Sequence, residues 1–153
     1  MSIKIEVDIK RSTIIDTHAH EAFSRIATVE EMASHFPKLE RLEQVDDLTY
    51  SWVLEKIGTE AYKHRVEYTS KWKWHDADRK VTWEPIKGAG NTQISGICHV
   101  KEAGNMSEVH FSTTASLILP LPRWTKAIAK PVVKKQFEAL IDTYINNVVA
   151  AMA

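Results

Sequence analysis

The sequence predicts an α+β fold: a curved seven-stranded antiparallel sheet, two short helices after strand 1, and a long C-terminal helix over the concave face. Three observations predict it. Ile3, Ile5, Val7 and Ile9 alternate with Lys4, Glu6, Asp8 and Lys10, the period of a half-buried strand. From Leu39 to Leu119, alternating runs are broken by turn signals at roughly 8–15-residue spacing. Near the end, Val133, Phe137, Leu140, Ile141, Tyr144, Ile145 and Val148 repeat at helical spacing over about five turns.

Each element follows from local pattern. The first alternation runs on through Arg11, Thr13 and Ile15 and stops at Asp16-Thr17-His18. Ala22, Phe23, Ile26 and Ala27 then sit at helical spacing. Thr28 followed by Glu31 matches a capping box, in which the two side chains satisfy exposed amides at a helix start. Val29, Met32, Ala33 and Phe36 would be the buried stripe of that second helix, and Pro37 ends it. Tyr50, Trp52 and Leu54 share a strand face that runs to Gly58. Tyr62, His64, Val66, Tyr68, Ser70, Trp72 and Trp74 share the next, before a turn at Asp76-Ala77-Asp78. Val81, Trp83 and Pro85 predict a shorter strand, with the proline marking a sheet edge or an end. Residues 87–91, Lys-Gly-Ala-Gly-Asn, predict a loop. Ile94, Cys98 and Val100 share a face; Ala103-Gly104-Asn105 predicts a hairpin, after which Val109, Phe111, Thr113, Ala115, Leu117 and Leu119 share a face. Such short connections require antiparallel pairing in a meander. Pro120 and Pro122 stop the last strand, and Pro131 is expected to separate the long helix from a lead-in around Trp124 and Ile128.

Composition bounds the function. A chain of 153 residues is expected to form one domain over 1–153 with a real core. Twenty basic and twenty acidic side chains cancel, so there is no bulk pull toward nucleic acid. The lone cysteine, Cys98, can neither close an internal disulfide nor build a multi-cysteine zinc site. The N-terminus carries no apolar signal core, and no stretch approaches the roughly 20 apolar residues of a membrane span. The expected location is cytoplasmic.

Only the C-terminal helix is long enough to cover the sheet's apolar face, and one helix cannot fill a curved concavity, so a pocket is expected between them. This helix-grip arrangement, with the segment Val-Glu-Glu-Met-Ala-Ser-His-Phe-Pro at 29–37 and the Tyr50/Trp52 strand leading to Gly58, resembles the START-like or SRPBCC superfamily, the birch-pollen-allergen fold. It is similar in particular to polyketide cyclase/dehydrase-like and coenzyme-Q-binding-like bacterial members. The resemblance implies binding of a lipid, quinone or polyketide-like molecule, sometimes with chemistry; no cofactor is expected. The expected function is a carrier or binding protein for an apolar or aromatic small molecule. The alternatives are a cyclase/dehydratase-type enzyme using the same cavity, and an interaction module whose groove takes a partner protein.

The expected ligand-binding face comprises Tyr50, Trp52, Tyr62, His64, Tyr68, Trp72, Trp83, Cys98 and Phe111 from the strands, with Phe137, Ile141 and Tyr144 from the helix. Broad rings with polar tips suit a flat apolar ligand; an ordinary aromatic core without a cavity is the competing reading. His64 is the candidate acid/base, set against a core histidine satisfied by neighbours. His75, His99 and His110 fall near polar faces and read as solvated, and Cys98 as a small buried apolar residue. Asp16-Thr17-His18-Ala19-His20 looks like the metal-binding opening of amidohydrolase barrels, but such barrels need about 200 residues or more. The segment reads instead as a connection in which Asp16 or Thr17 caps a helix, with no metal ligands expected. Arg123, Lys126, Lys130, Lys134 and Lys135 form a basic cluster: a solvated face, or a weak docking surface for anionic lipid or an acidic partner.

Overall fold

Short turns force consecutive strands to pair antiparallel, and in the computed structural model, which describes residues 2–58 and 63–152, they do so throughout. The strands are β1 (Ile3–Ile15), β2 (Leu39–Asp46), β3 (Thr49–Gly58), β4 (Lys63–His75), β5 (Lys80–Gly90), β6 (Thr92–Ala103) and β7 (Met106–Leu119). Helices α1 (Ala19–Ile26) and α2 (Val29–Ser34) follow β1, and α3 (Lys126–Ala151) closes the chain. The sheet order is β1-β7-β6-β5-β4-β3-β2, a meander with β1 returned beside β7. The β1–β7 register runs unbroken from Ile3↔Leu119 to Ile15↔Ser107, and the α+β helix-grip architecture is as the sequence predicts.

Curvature comes from irregularities in the ladders. A register shift between Val53 and Lys56 changes which residues face inward. Trp52 and Leu54 are buried, and after the bulge the buried position is Ile57. Residues 87–90, expected in a loop, belong to β5, which resumes pairing at Tyr68↔Gly90 after a register shift. Gly90 makes this approach: its φ is +83°, and a β-carbon there would stand 2.2 Å from the carbonyl oxygen of Glu67. Pro85 does not mark a sheet edge, because β5 is interior; it lies just past Trp83↔Gly96, the last pair of the ladder with β6.

Pro131 does not break the last helix. α3 is continuous for 26 residues, about seven turns. Pro131 is its sixth residue, two past the four whose N–H groups lack an intrahelical acceptor, so a single amide bond, to the Ala127 carbonyl, is lost in the second turn. The apolar stripe faces the sheet as predicted, with Val133, Phe137, Leu140, Ile141, Tyr144 and Val148 buried. Midway, Arg11 of β1 holds α3 through Asp142, Nε to Oδ1 at 2.6 Å, with Glu138 at 3.7 Å.

The expected capping box is absent. Thr28 donates its hydroxyl to the carbonyl of Ser24 at 2.9 Å, and Glu31 pairs instead with Arg25 at 2.9 Å. A neighbouring cation outcompetes the reciprocal cap because a charge-assisted bond is stronger than a neutral one.

Candidate functional site

The concave face carries the aromatic residues that period two assigns to it, and α2 and α3 close over them. Six rings form a closed circuit. Phe36 meets Trp52 edge-on at 5.8 Å. Trp52 stacks on Trp72 at 6.3 Å, and Trp72 on Trp83 at 4.8 Å. Trp83 meets Phe111 at 5.6 Å, and Phe111 meets Tyr144 at 5.6 Å. Tyr144 stacks back on Phe36 at 4.4 Å. Tyr68 lies outside the circuit, parallel to Trp52 at 5.8 Å.

A cavity lies against this circuit. Trp52, Tyr68, Trp72, Trp83 and Phe111 line its sheet side; Phe137, Leu140 and Ile141 line its α3 side; Met32 and Phe36 close the α2 end. Its free space is about 40 Å³, room on the order of two or three waters. The polar groups in its wall are few. Ser70 accepts from Trp72 Nε1 at 3.0 Å, and Thr113 donates to the Ser95 carbonyl at 2.9 Å. Trp52 is 1% exposed, and its Nε1 has no acceptor among the described residues. The neighbouring indoles of Trp72 and Trp74 are paired, the first as above and the second with the Ala27 carbonyl at 2.7 Å. A buried donor left unpaired costs about 1–3 kcal/mol.

Seven of the twelve predicted site residues line this cavity: Trp52, Tyr68, Trp72, Trp83, Phe111, Phe137 and Ile141. Cys98 and Tyr144 line an adjoining apolar cleft toward β1 with Ile15 and Val109. Burial pushes the Cys98 thiol up to about 12, so it stays protonated. Burial likewise raises the Tyr68 and Tyr144 phenols well above their ordinary value. Tyr50 is buried toward α2, its hydroxyl 3.3 Å from Glu30 Oε1; burial and then that carboxylate raise its pKa. Tyr62 lies outside the described residues. His64 lines a separate cleft, with Ile57, Leu117, Leu119 and Val133, under the first turns of α3. Burial lowers its pKa, and a hydrogen bond with Asn91 partly offsets this. Sequence reading leaves Ser70 and Thr113 out of the site although period two puts both on this face. It finds Met32 and Phe36 only as a helix stripe; their place beside Trp52 depends on how α2 docks.

The remaining polar candidates serve structure. His18, not Asp16 or Thr17, is the α1 cap: its Nδ1 accepts from the His20 amide at 3.4 Å. Thr17 reaches across to the Met152 carbonyl at 2.5 Å. Among the described residues no group of three or more His, Cys, Asp or Glu side chains could hold a metal ion. His99 and His110 are half-buried rather than fully solvated. His110 bridges Ser12 at 3.0 Å and Glu108 at 2.8 Å, and burial lowers the pKa of His99.

No protein-family model matches the sequence, and no curated protein matches it. Solved structures do match its fold. A protein from Thermus thermophilus is 17% identical with a TM-score of 0.67, over 97% of this chain and 99% of that one. The Zhui aromatase/cyclase from Streptomyces sp. R1128 is 13% identical with a TM-score of 0.67, over 96% and 93%. A START superfamily protein from Mycobacterium smegmatis is 9% identical with a TM-score of 0.70, over 95% and 96%. The chain therefore has a START-like, polyketide-cyclase-like fold. At these identities the likeness establishes the fold alone.

Proposed function

We propose that this protein binds an apolar or aromatic small molecule, of lipid, quinone or polyketide-like class, between the sheet and α3, as a carrier or binding protein. The observation that carries the reading is an aromatic-lined cavity between the sheet and α3, with the unpartnered Trp52 N–H buried in one of its lining residues. A packed core would exclude such a donor or pair it. A ligand carbonyl or hydroxyl would pair it, while its apolar body meets the rings of Trp72, Trp83 and Phe111.

The free space of about 40 Å³ holds no such molecule without rearrangement. The wall that gives way is α2. It is six residues long and has no side-chain cap, and it contributes the flexible Met32, with the ring of Phe36 two residues past its end. Moving it opens the aromatic circuit at Phe36 and leaves the sheet intact.

A second reading, a cyclase/dehydratase-type enzyme using the same cavity, draws support from the fold shared with the Zhui aromatase/cyclase. It is the weaker one. His64 belongs to a different cleft, and among the described residues the cavity wall offers hydroxyls and indole N–H groups but no carboxylate or imidazole for proton traffic.

Titration with naphthoquinones and fatty acids, followed by tryptophan fluorescence, tests the binding reading. Saturable quenching by quinone that disappears in Ile141→Trp, which fills the cavity, is the expected result. Should Ile141→Trp misfold, Trp52→Phe serves: it should bind carbonyl-bearing ligands less tightly and hydrocarbons unchanged. Quenching that never saturates, or that is indifferent to both variants, contradicts the reading.

A further inference from the structure

We propose that the N-terminal end of α3 is a docking surface for anionic lipid bilayers. A single short region combines two features that seldom coincide on a solvated helix start. Trp124 and Ile128 are 73% and 62% exposed. Around them stand five cations, Arg123, Lys126, Lys130, Lys134 and Lys135, and no acidic residue occurs anywhere from Val109 to Phe137. Trp124, Lys126, Lys130 and Lys134 line one shallow concavity with Arg123, Ala127 and Pro131, none of them acidic. Of the cations, Lys134 has a carboxylate partner, Glu138 at 3.9 Å along the helix.

Chemistry selects a bilayer over other anionic partners. Four of the five cations are lysines, whose compact charges on flexible stems suit diffuse headgroup charge better than the planar fork that reads carboxylates or bases. A tryptophan prefers the headgroup layer, with its ring among acyl ends and its N–H toward water. Exposed Ile128, Ala127 and Pro131 add apolar surface that an acyl boundary accepts and a nucleic-acid strand does not. Among the described residues no helix is long and apolar enough to cross a membrane, so the contact is with the surface. The inference does not depend on cavity binding: a chain with an empty cavity would dock equally well.

Trp124 makes the test direct, because Trp52, Trp72 and Trp83 are buried and Trp74 half-buried. The full chain is mixed with phosphatidylcholine vesicles, with and without phosphatidylglycerol, and read by co-sedimentation and tryptophan emission. Binding to phosphatidylglycerol vesicles at low salt, release as salt rises, and a blue shift absent in Trp124→Ala are expected. Lys126→Glu with Lys130→Glu should lower partitioning about tenfold or more, with melting temperature unchanged. Absence of binding to phosphatidylglycerol vesicles at low salt overturns the proposal, as does equal binding to pure phosphatidylcholine. Binding to polyglutamate with no vesicle-induced shift at Trp124 would make the partner an acidic protein and would likewise overturn it.

Discussion

The indole of Trp83 lies across Gly96 on the neighbouring strand, its register partner, so closely that a β-carbon on Gly96 would stand 2.3 Å from the ring. The glycine lets the ring lie flat on the sheet, within stacking distance of Trp72 and in contact with Phe111. Gly96→Ala should therefore lift Trp83 into the cavity. The expected cost is about 1–3 kcal/mol, as for other overpacked cores, read by urea denaturation, with a changed near-ultraviolet circular dichroism spectrum. An unchanged spectrum would mean the ring does not rest there.

Phe137 is buried yet borders the cavity. Phe137→Ala should cost about 3 kcal/mol, the low end for a buried phenylalanine, because part of its surroundings is already empty. Enlarged free space should admit bulkier ligands and broaden binding. Truncation after Pro131 should go further. It removes every α3 residue from Val132 onward and exposes the concave face, so the remaining chain should show no cooperative thermal transition by circular dichroism.

Much of this is legible in the sequence, and what is not has a common cause. Period two in β1 and β7 places Ile5, Val7, Phe111 and Ala115 on the inner face, and the observed register keeps that parity without a shift. The stripe from Val133 to Val148 identifies the helix that covers them. Pattern fails where backbone geometry overrides it: residues 87–90 carry turn residues yet extend β5, which pairs again at Gly90 because that glycine lets the backbone pass Glu67. Pro131 reads as a break, but only one amide bond is at stake there. At the site, alternation finds five lining residues and the helical period two more, yet neither separates the aromatic cavity from the His64 cleft, since both occupy one face of the sheet. That separation is set by how α2 and α3 dock, a long-range outcome that local period does not encode.

Two histidines on the sheet should shape stability at mildly acid pH. Burial lowers the pKa of His64 and of His99, so the unfolded chain binds more protons than the folded one below the ordinary histidine range. Their contribution is neutral above about pH 6.5, and stability is lost as pH falls through that value toward the lower folded pKa. Melting temperature measured from pH 7.5 to 5 should fall less steeply in His64→Gln and His99→Gln than in the parent, and least in the double variant. Parallel curves would show that other groups set the acid response.

Native mass spectrometry of the freshly purified protein tests ligand binding between sheet and α3 most directly. The expected result is a bound small molecule that organic extraction removes, with an occupancy that falls when Trp52→Phe deletes the unpaired donor or Ile141→Trp fills the cavity. A bare mass in every preparation, with no uptake of quinones or fatty acids offered in excess, would contradict it.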